Sequence, residues 1–485
     1  MKTTRREFFD QLLAAAAVGA STFSGPQLFG QAAQPTAPRS PNETVRVGVV
    51  GVRGRGRAHI GEFKKMANVK VTAICDVDSA MSSLALKSVP EAKYFQDVRH
   101  MLESDLVDVV TVATPNHWHS LVSIWALQAG KHVYVEKPLS HDLFEGRQLV
   151  RAADASGLVV QHGTQSRTAT ATRDAIAYLH SGALGKVKFA RALCYKRRQS
   201  IGKVTGPQTP PDSCDYKLWC GPAGVHELRR KSLHYDWHWN FRTGNGDMGN
   251  QGVHQMDIAR WGLGVDHLPQ RIMSVGGRFG YVDDGDTPNT LLSLFDYGEQ
   301  QLMFEVRGLK TPGYRGASIG VVFECEKGYL VSASYGKLHA YDRDGNVLQT
   351  FEGDQNHFAQ FMDAVRAGKP EMVNASPLEG HLSSALCHLG NISYLSGEST
   401  PVKKMENAFA KFKNGPGVEI AAESLSRYYK HLGENGLDLS KEVGFAGSLL
   451  NFDAKTERFT GAHADAANKL LRKPVAEGFE VPSLG

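Results

Sequence analysis

The stretch that decides the fold is "VRVGVVGVRGRG", residues 45–56, in which a short apolar run leads directly into a glycine-rich turn. A run of branched apolar residues is typical of a buried β-strand. Further apolar runs at 69–78, 107–115 and 132–137 alternate with segments of helical pattern. This alternation predicts an α/β fold with a doubly wound parallel sheet over residues 44–163.

The glycine-rich turn is close to a dinucleotide-binding loop, although arginine fills one glycine position. Gly51, Gly54 and Gly56 allow a tight turn and close packing, and Arg53 stands where the pattern expects its second glycine. Asp76 ends the second apolar run 20 residues after Gly56, where an acidic side chain accepts hydrogen bonds from ribose hydroxyls. Because that carboxylate would repel a 2′-phosphate, we expect NAD, with NADP less favoured. The competing interpretation of Asp76 is a helix cap.

Two further segments, "ATPNHWHS" (113–120) and "AGKHVYVEKPLS" (129–140), resemble the glucose–fructose oxidoreductase, inositol dehydrogenase and MocA (Gfo/Idh/MocA) family over roughly residues 44–400. The resemblance implies an N-terminal Rossmann domain, a C-terminal α/β domain on a large open sheet, a sugar or polyol substrate and assembly into a homo-oligomer. The same turns and strand ends supply the expected cofactor contacts, which are Gly51, Arg53, Gly54, Arg55, Gly56, Asp76, Thr114, Pro115, Asn116, His119, Glu136, Lys137 and Gln165.

Lys137 is the first candidate for catalysis. It ends an apolar run and precedes Pro138, which cannot continue a strand. An ammonium at this place hydrogen-bonds a substrate hydroxyl and lowers the pKa for proton removal. The family resemblance implies the same role beside the nicotinamide. The competing interpretation is a surface lysine in a turn.

The second half of the chain, residues 164–440, contains longer strand-like runs that predict an open, mainly antiparallel sheet. Within it, His254 and Asn250 are one helical turn apart, and Asp257 shares their face. The family usually carries an Asp-x-x-x-His pair with the histidine as general base, and Asn250 here occupies the aspartate position. We expect His254 to transfer a proton with Lys137, supported by Asn250 and Asp257; a packed helix histidine is the alternative.

The loop before that helix adds aromatic candidates. Tyr235 and His238 are secondary candidates for catalysis. Trp237 and Trp239 are expected to stack on sugar rings, although two tryptophans spaced by two on a strand are equally consistent with a core. Together with Lys137, Asn250 and His254, the predicted substrate contacts include Arg167, Trp237 and Trp239.

Two weaker patterns complete the site. Gln165 and Arg167 follow the Rossmann domain, in a stretch that in the family runs close to cofactor and substrate; a polar linker explains it equally well. His234, Asp236 and His238 could ligate a metal, but the sequence offers no i, i+4 pair of obvious ligands beyond His234 and His238, so no metal is expected.

The N-terminus indicates export. Residues 1–33 begin with a basic segment containing Arg5-Arg6, followed by a weakly apolar alanine-rich stretch, as in a twin-arginine signal. An ordinary secretory signal or a membrane anchor is the alternative, although the stretch is too weakly apolar to favour a span. Residues 34–43 read as a linker and 441–485 as a tail that folds back onto the Rossmann half or reaches a neighbouring subunit. We therefore expect a periplasmic or otherwise exported protein.

Composition limits the other functions. A net charge of +5 without a basic run gives no support for nucleic-acid binding. Cys214 and Cys220 lie close enough in sequence to pair, with free thiols as the simpler interpretation. Three hypotheses remain: an exported sugar or polyol oxidoreductase with a retained, internally recycled cofactor, an NAD-dependent glycoside hydrolase working by C3 oxidation and elimination, and a catalytically silent carbohydrate-binding protein.

Overall fold

The structure is a computed structural model that describes residues 43–412 and 417–484. The signal sequence predicted for residues 1–33 and the linker up to residue 42 lie outside the described residues.

The first domain is a six-stranded parallel sheet with strand order β3-β2-β1-β4-β5-β6. Its strands are β1 (Val45–Val50), β2 (Val69–Cys75), β3 (Lys93–Phe95), β4 (Val109–Val112), β5 (His132–Val135) and β6 (Val160–His162). Its helices are α1 (Arg55–Lys64), α2 (Ser79–Leu86), α3 (Val98–Leu102), α4 (His119–Gln128) and α5 (Leu143–Ser156). The strand order reverses between β1 and β4, which is the Rossmann arrangement and confirms the predicted doubly wound sheet.

The second domain contains a twelve-stranded sheet within the described residues, in the order β14-β13-β12-β11-β7-β10-β9-β8-β16-β15, with β17 paired to β8 and β18. Only the β7–β10 pair is parallel among its strand pairs in this part of the chain, which confirms the predicted mainly antiparallel sheet. The strands are β7 (Val187–Cys194), β8 (Arg271–Gly277), β9 (Thr290–Asp296), β10 (Gln301–Arg307), β11 (Ile319–Cys325), β12 (Gly328–Ser334), β13 (Lys337–Asp342), β14 (Val347–Glu352), β15 (Glu398–Pro401), β16 (Val443–Ala446), β17 (Leu450–Asp453) and β18 (Arg458–Thr460).

The second domain also contains helices and short turns. The α-helices are α6 (Thr170–His180), α7 (Tyr216–Cys220), α8 (Val253–Leu263), α9 (His357–Ala367), α10 (Pro377–Leu395), α11 (Gly417–Glu434) and α12 (Ala464–Asn468). The 3₁₀ turns across both domains are Asn116–Trp118, Gln165–Arg167, Gly221–Ala223, Asp236–Trp239, Pro370–Met372 and Val402–Lys411. One π turn, Met248–Gly252, leads into α8 among the described residues.

The large sheet is buried on both faces at its centre. Successive side chains of a strand point to opposite faces. In β9, Leu291 and Phe295 pack with α8 and α10, whereas Leu292 and Leu294 pack against the 402–411 turn and α11. Burial on both faces explains why the sequence of β9 is a continuous apolar run without alternation.

The C-terminal tail folds back onto the Rossmann domain. The backbone N–H of Lys473 donates to Asp142 at 2.8 Å, and that of Leu484 donates to Gln148 at 2.7 Å. Val481 is buried in the Rossmann core. The first of the two arrangements expected for the tail is therefore the one observed.

Two smaller expectations concern cysteines and the membrane. Cys214 and Cys220 are both free thiols, so the disulfide alternative is wrong for this structure. Over the described ranges, the helices lack the length and apolar character needed to cross a bilayer.

Candidate active site

A cavity of about 830 Å³ lies between the two domains, at the carboxyl ends of the Rossmann strands. One wall consists of residues that follow β1, β2, β4 and β5. The opposite wall comes from loop 234–238, the π turn, the start of α8 and Tyr335, which follows β12. Ligands of open α/β sheets bind at this edge, so the cavity is the candidate active site.

The glycine turn has the geometry of a dinucleotide cradle. Gly51 has φ +80°, and a Cβ on Gly56 would lie 1.9 Å from the carbonyl oxygen of Gly51. Glycine is therefore required at both positions. The turn ends at the first residue of α1, Arg55, and helix N-termini favour phosphate groups. Exposed Arg53 lines the cavity, so the substituted glycine position adds a positive charge and leaves the cradle open.

Asp76 lies beside this turn with its carboxylate facing two backbone donors. It accepts hydrogen bonds from the N–H of Val52 at 2.8 Å and of Asp78 at 3.0 Å. Burial raises the pKa of Asp76, and these hydrogen bonds oppose the shift. The helix cap is instead Asp78, whose side chain accepts from Ala80 at the start of α2. Asp76 lines the cavity and retains lone pairs for ribose hydroxyls.

Thr114, Pro115 and Asn116 line the cavity as predicted. The Thr114 hydroxyl oxygen is buried and has no hydrogen-bond partner within the described part of the chain. His119 holds this turn, because its Nε2 lies 2.8 Å from the carbonyl oxygen of Thr114 and its Nδ1 lies 2.6 Å from that of Pro138. An unsatisfied buried hydroxyl facing the cavity fits a bound cofactor.

Glu136 directly follows β5, and two side chains hold its carboxylate in place. Its Oε1 accepts from Arg55 Nε at 2.7 Å and lies 3.1 Å from His59 Nε2. Burial opposes ionisation, but the hydrogen bond from His59 and the charge of Arg55 hold the pKa of Glu136 well below its usual range. Gln165, which also lines the cavity, donates to the Tyr134 hydroxyl at 3.0 Å.

Lys137 extends into the cavity beside Glu136. Its Nζ donates to the backbone oxygen of Asn250 at 2.5 Å, so it joins the two walls. Burial lowers the pKa of Lys137, the Glu136 carboxylate opposes this shift, and the charge of Arg55 adds to it. The ammonium keeps further protons for a substrate oxygen.

His254 faces Lys137 across the cavity. It is 9% exposed, and its Nδ1 has no hydrogen-bond partner among the described residues. Burial and the charge of Lys137 lower the pKa of His254 to about 3. The imidazole is therefore neutral at physiological pH and has a free ring nitrogen.

Asn250 lies on the π turn that precedes α8, rather than on the first turn of a regular helix. Such turns occur frequently at functional sites, because the wider turn redirects backbone groups. Here the Asn250 carbonyl oxygen accepts from Lys137, and its half-buried side chain lines the cavity.

Asp257 and Arg167 do not line the cavity, which corrects their predicted roles. Arg167 Nε and Asp257 Oδ1 form a buried ion pair at 2.9 Å. Asp257 also accepts from Ser383 at 2.6 Å, and Arg167 pairs with Glu379 at 2.8 Å. Their charges are satisfied by each other, so they link structural elements behind the site.

The aromatic loop contains a 3₁₀ turn, Asp236–Trp239, rather than a strand, and both of its tryptophans are buried. Trp237 lines the cavity but stacks on His238 with ring centroids 3.6 Å apart. Trp239 lies outside the lining, with the Arg198 guanidinium 5.0 Å from its ring. The two tryptophans thus do not form a joint stacking platform, whereas Tyr235, 45% exposed, and His238 both line the cavity.

The histidines considered as metal ligands make other contacts in the structure. His234 Nε2 pairs with Asp78 at 2.7 Å, and His238 Nδ1 lies 2.6 Å from the Tyr235 carbonyl oxygen. Over the ranges that the structure describes, no group of three or more His, Cys, Asp or Glu side chains is arranged to hold a metal ion.

Several lining residues were not predicted from the sequence. The hydroxyl of Tyr335 lies in the cavity wall, where Gln251 and Gln255 each donate to it at 3.1 Å. Lys196 and Arg198, which follow β7, line the same wall. These positions carry no local sequence signal, because they reach the cavity only through the pairing of distant strands.

Residues 45–164 match the family model GFO_IDH_MocA, described as the oxidoreductase family with an NAD-binding Rossmann fold. Over these residues, the chain matches the NAD-binding domain of the Gfo/Idh/MocA oxidoreductase family. The resemblance noted in the sequence is therefore confirmed over these residues, and the prediction of NAD is confirmed by the NAD-binding description of the matched domain.

Curated relatives match mainly over part of this chain. A glycosyl hydrolase family 109 protein from Solibacter usitatus is 35% identical over 127 residues, 24% of this chain and 29% of that protein. Another from Saccharopolyspora erythraea is 34% identical over 160 residues, 30% of this chain and 34% of that protein. The match thus spans about a third or less of these relatives' length.

Solved structures resemble the chain over most of its length. A levoglucosan dehydrogenase in complex with NADH and levoglucosan is 18% identical, with a TM-score of 0.54 over 72% of this chain and 98% of that one. The WlbA dehydrogenase from Bordetella pertussis, in complex with NADH and UDP-GlcNAcA, is 18% identical, with a TM-score of 0.54 over 71% and 94%. At these identities the likeness establishes the fold.

Proposed function

We propose that the protein is an NAD-dependent oxidoreductase that oxidises a hydroxyl group of a sugar or polyol. One observation carries the proposal: a lysine ammonium and a neutral histidine face each other in a cavity that also contains the dinucleotide cradle. The pair supplies a hydrogen-bond donor and a proton acceptor for one hydroxyl group.

The chemistry divides between carbon and oxygen of the substrate. Held by the glycine turn and Asp76, bound NAD would supply the acceptor for the hydride of the carbon that carries the hydroxyl. Lys137 donates a hydrogen bond to the hydroxyl oxygen and stabilises the negative charge that develops there. Neutral His254 accepts the hydroxyl proton at a ring nitrogen, and the Asn250 side chain orients a neighbouring hydroxyl.

The surrounding network positions Lys137. Glu136 is fixed by Arg55 and His59, and the Asn250 carbonyl oxygen accepts one ammonium proton. A reacting group that is already oriented loses little entropy on binding. We therefore assign positioning roles to Glu136, Arg55 and His59.

Export, a retained cofactor and assembly remain parts of the proposal. Arg5-Arg6 and the alanine-rich segment after it support export of a folded protein. An exported enzyme without access to a nucleotide pool must restore its cofactor within one catalytic cycle. A homo-oligomer is expected from the family resemblance, and light scattering of the purified protein measures it.

A second candidate is an NAD-dependent glycoside hydrolase, and two observations favour it. Tyr235 and His238 line the cavity beyond the Lys137–His254 pair, and curated relatives bear the name glycosyl hydrolase family 109. In this reaction, transient oxidation at C3 acidifies the C2 proton, a base such as Tyr235 or His238 removes it, and the leaving group departs from C1. Water then adds to C1 and a solvent proton to C2 of the unsaturated ketone, and the hydride returns to C3.

One experiment tests the proposed function and separates it from the second candidate. The protein, loaded with NAD, is mixed with sugars, polyols and aryl glycosides, and NADH absorbance and aryl alcohol release are followed. With a sugar or polyol as its only substrate, the oxidoreductase converts its bound NAD to NADH and releases no aryl alcohol. The hydrolase releases aryl alcohol with solvent deuterium incorporated at C2 and no net NADH. Lys137→Met abolishes either signal, and an absence of both signals in the unaltered protein would contradict both candidates.

A further inference from the structure

The second-domain wall of the cavity contains two cations that the proposed reaction does not use. Lys196 and Arg198 follow β7, and both line the cavity. They occupy alternate positions after Cys194, so the two side chains leave the extended chain on the same side. The electrostatic neighbours of Cys194 include Lys196, Arg198 and Asp247, which places this segment beside the π turn.

The two cations differ in their partners. Arg198 Nε donates to Asp247 at 3.0 Å, and its guanidinium lies over the Trp239 ring. Its charge is thus neutralised within the wall. Half-buried Lys196 has no ion pair or hydrogen bond to its ammonium within residues 43–412 and 417–484. An ammonium in a cavity wall without a counter-charge favours an anion.

The carboxylates of the cavity do not supply that counter-charge. Asp76 and Asp97 follow β2 and β3, on the wall that the Rossmann domain contributes. Glu136 is neutralised by Arg55. Lys196, on the second-domain wall, is therefore left without a carboxylate partner in the cavity.

We propose that Lys196 binds a carboxylate of the substrate, so that the substrate class is acidic sugars such as uronates or aldonates. The inference rests on the proposed function. Lys137 holds the reacting hydroxyl, while Lys196, on the opposite wall, holds the carboxylate and fixes which carbon faces the cofactor. Lys196 is thus a specificity-determining residue.

The test compares matched pairs of substrates that differ in charge. Initial rates of NADH formation are measured with D-glucuronate against D-glucose, D-galacturonate against D-galactose and D-gluconate against sorbitol. We expect kcat/KM to be at least about tenfold higher for the acids, since a charged hydrogen bond discriminates by that much. Lys196→Met lowers kcat/KM for the acids by about tenfold or more and leaves the neutral sugars within about threefold. Lys196→Arg keeps most of the preference.

The control is Lys188→Met, which removes an exposed lysine from the same strand, away from the cavity. It should leave every rate unchanged. Equal or better use of neutral sugars, or an equal loss for acids and neutral sugars in Lys196→Met, would overturn the inference. Glucose 6-phosphate forms a third arm, and a preference for it over glucuronate would overturn the assignment of a carboxylate.

A binding measurement keeps this inference separate from the proposed function. Trp219 and Trp237 line the cavity, so their fluorescence reports occupancy. If no sugar reduces NAD, the proposed function fails, and glucuronate and glucose are titrated into the NAD-loaded protein. Tighter binding of glucuronate that is lost in Lys196→Met supports the carboxylate site, and equal binding of the two sugars overturns it.

Discussion

Gly56→Ala should damage cofactor binding without touching any catalytic group. A Cβ at this position would lie 1.9 Å from the Gly51 carbonyl oxygen, whereas an ordinary contact begins near 3.4 Å. The turn and helix α1 must therefore separate by about 1.5 Å, since neither partner is a flexible side chain. Overpacking of this kind costs about 1–3 kcal/mol.

This cost raises the free energy of the conformation that binds the cofactor, so it weakens the affinity for NAD by the same amount. Because 1.4 kcal/mol corresponds to a factor of ten, the Kd for NAD should rise between about fivefold and 150-fold. Isothermal titration of nucleotide-free protein with NAD measures it. Gly61→Ala is the matched control, since it lies on the same helix and a Cβ there meets no atom within 4 Å. If the Kd of Gly56→Ala for NAD lay within twofold of that of the unaltered protein, the assignment of this turn as the dinucleotide cradle would be refuted.

Other predictions address the acid–base pair and the structural charges. Lys137→Met should lower kcat by at least about a hundredfold while the Kd for NAD changes less than about threefold, as measured by steady-state rates and calorimetry. Because the pKa of His254 is about 3, the base is neutral down to acidic pH, and kcat/KM measured from pH 8 to 5 should show no loss with a midpoint near 6.5. Burial lowers the pKa of Lys473 from 10.5 to about 8, so between these values the unfolded chain holds a proton that the folded protein has released. The free energy of unfolding, measured in urea, should therefore rise across that window, and Lys473→Met should remove the rise. Arg167→Met leaves Asp257 buried and unpaired, which should cost about 3–5 kcal/mol in urea unfolding and leave the Kd for NAD unchanged.

The residues of the first wall could be predicted from the sequence because each of them closely follows the strand that positions it. The run 45–56 specifies a strand, a turn and a helix in succession, and Lys137 ends a strand that the same alternation predicts. In a parallel sheet all such strand ends meet at one edge, so sequence position alone brought Asp76, Thr114 and Lys137 together.

The residues of the second wall could be predicted from the sequence only in part. His254 and Asn250 stand out by spacing, but the π turn that aims the Asn250 carbonyl oxygen at Lys137 has no sequence signature. Tyr335 and Lys196 reach the cavity through the pairing of β7, β11 and β12, which depends on contacts distant in sequence.

The roles predicted for several residues were wrong for a related physical reason. Arg167 and Asp257 each resemble a functional residue when considered alone, as charged side chains next to motif segments. Only the packing of α8 against the 165–167 turn shows that they neutralise each other at 2.9 Å. Trp237 and Trp239 were expected to stack on sugar rings because of their aromatic faces, but the 3₁₀ turn that contains them sends the two rings to different environments.

The most direct test of the account is the nucleotide content of the mature protein. The protein is purified without added nucleotide and denatured, and the released NAD and NADP are quantified per chain. The account predicts close to one NAD per chain and little NADP, because Asp76 disfavours a 2′-phosphate. Protein that is empty, and that also fails to bind added NAD, would contradict the central claim that this cavity is the site of NAD-dependent catalysis.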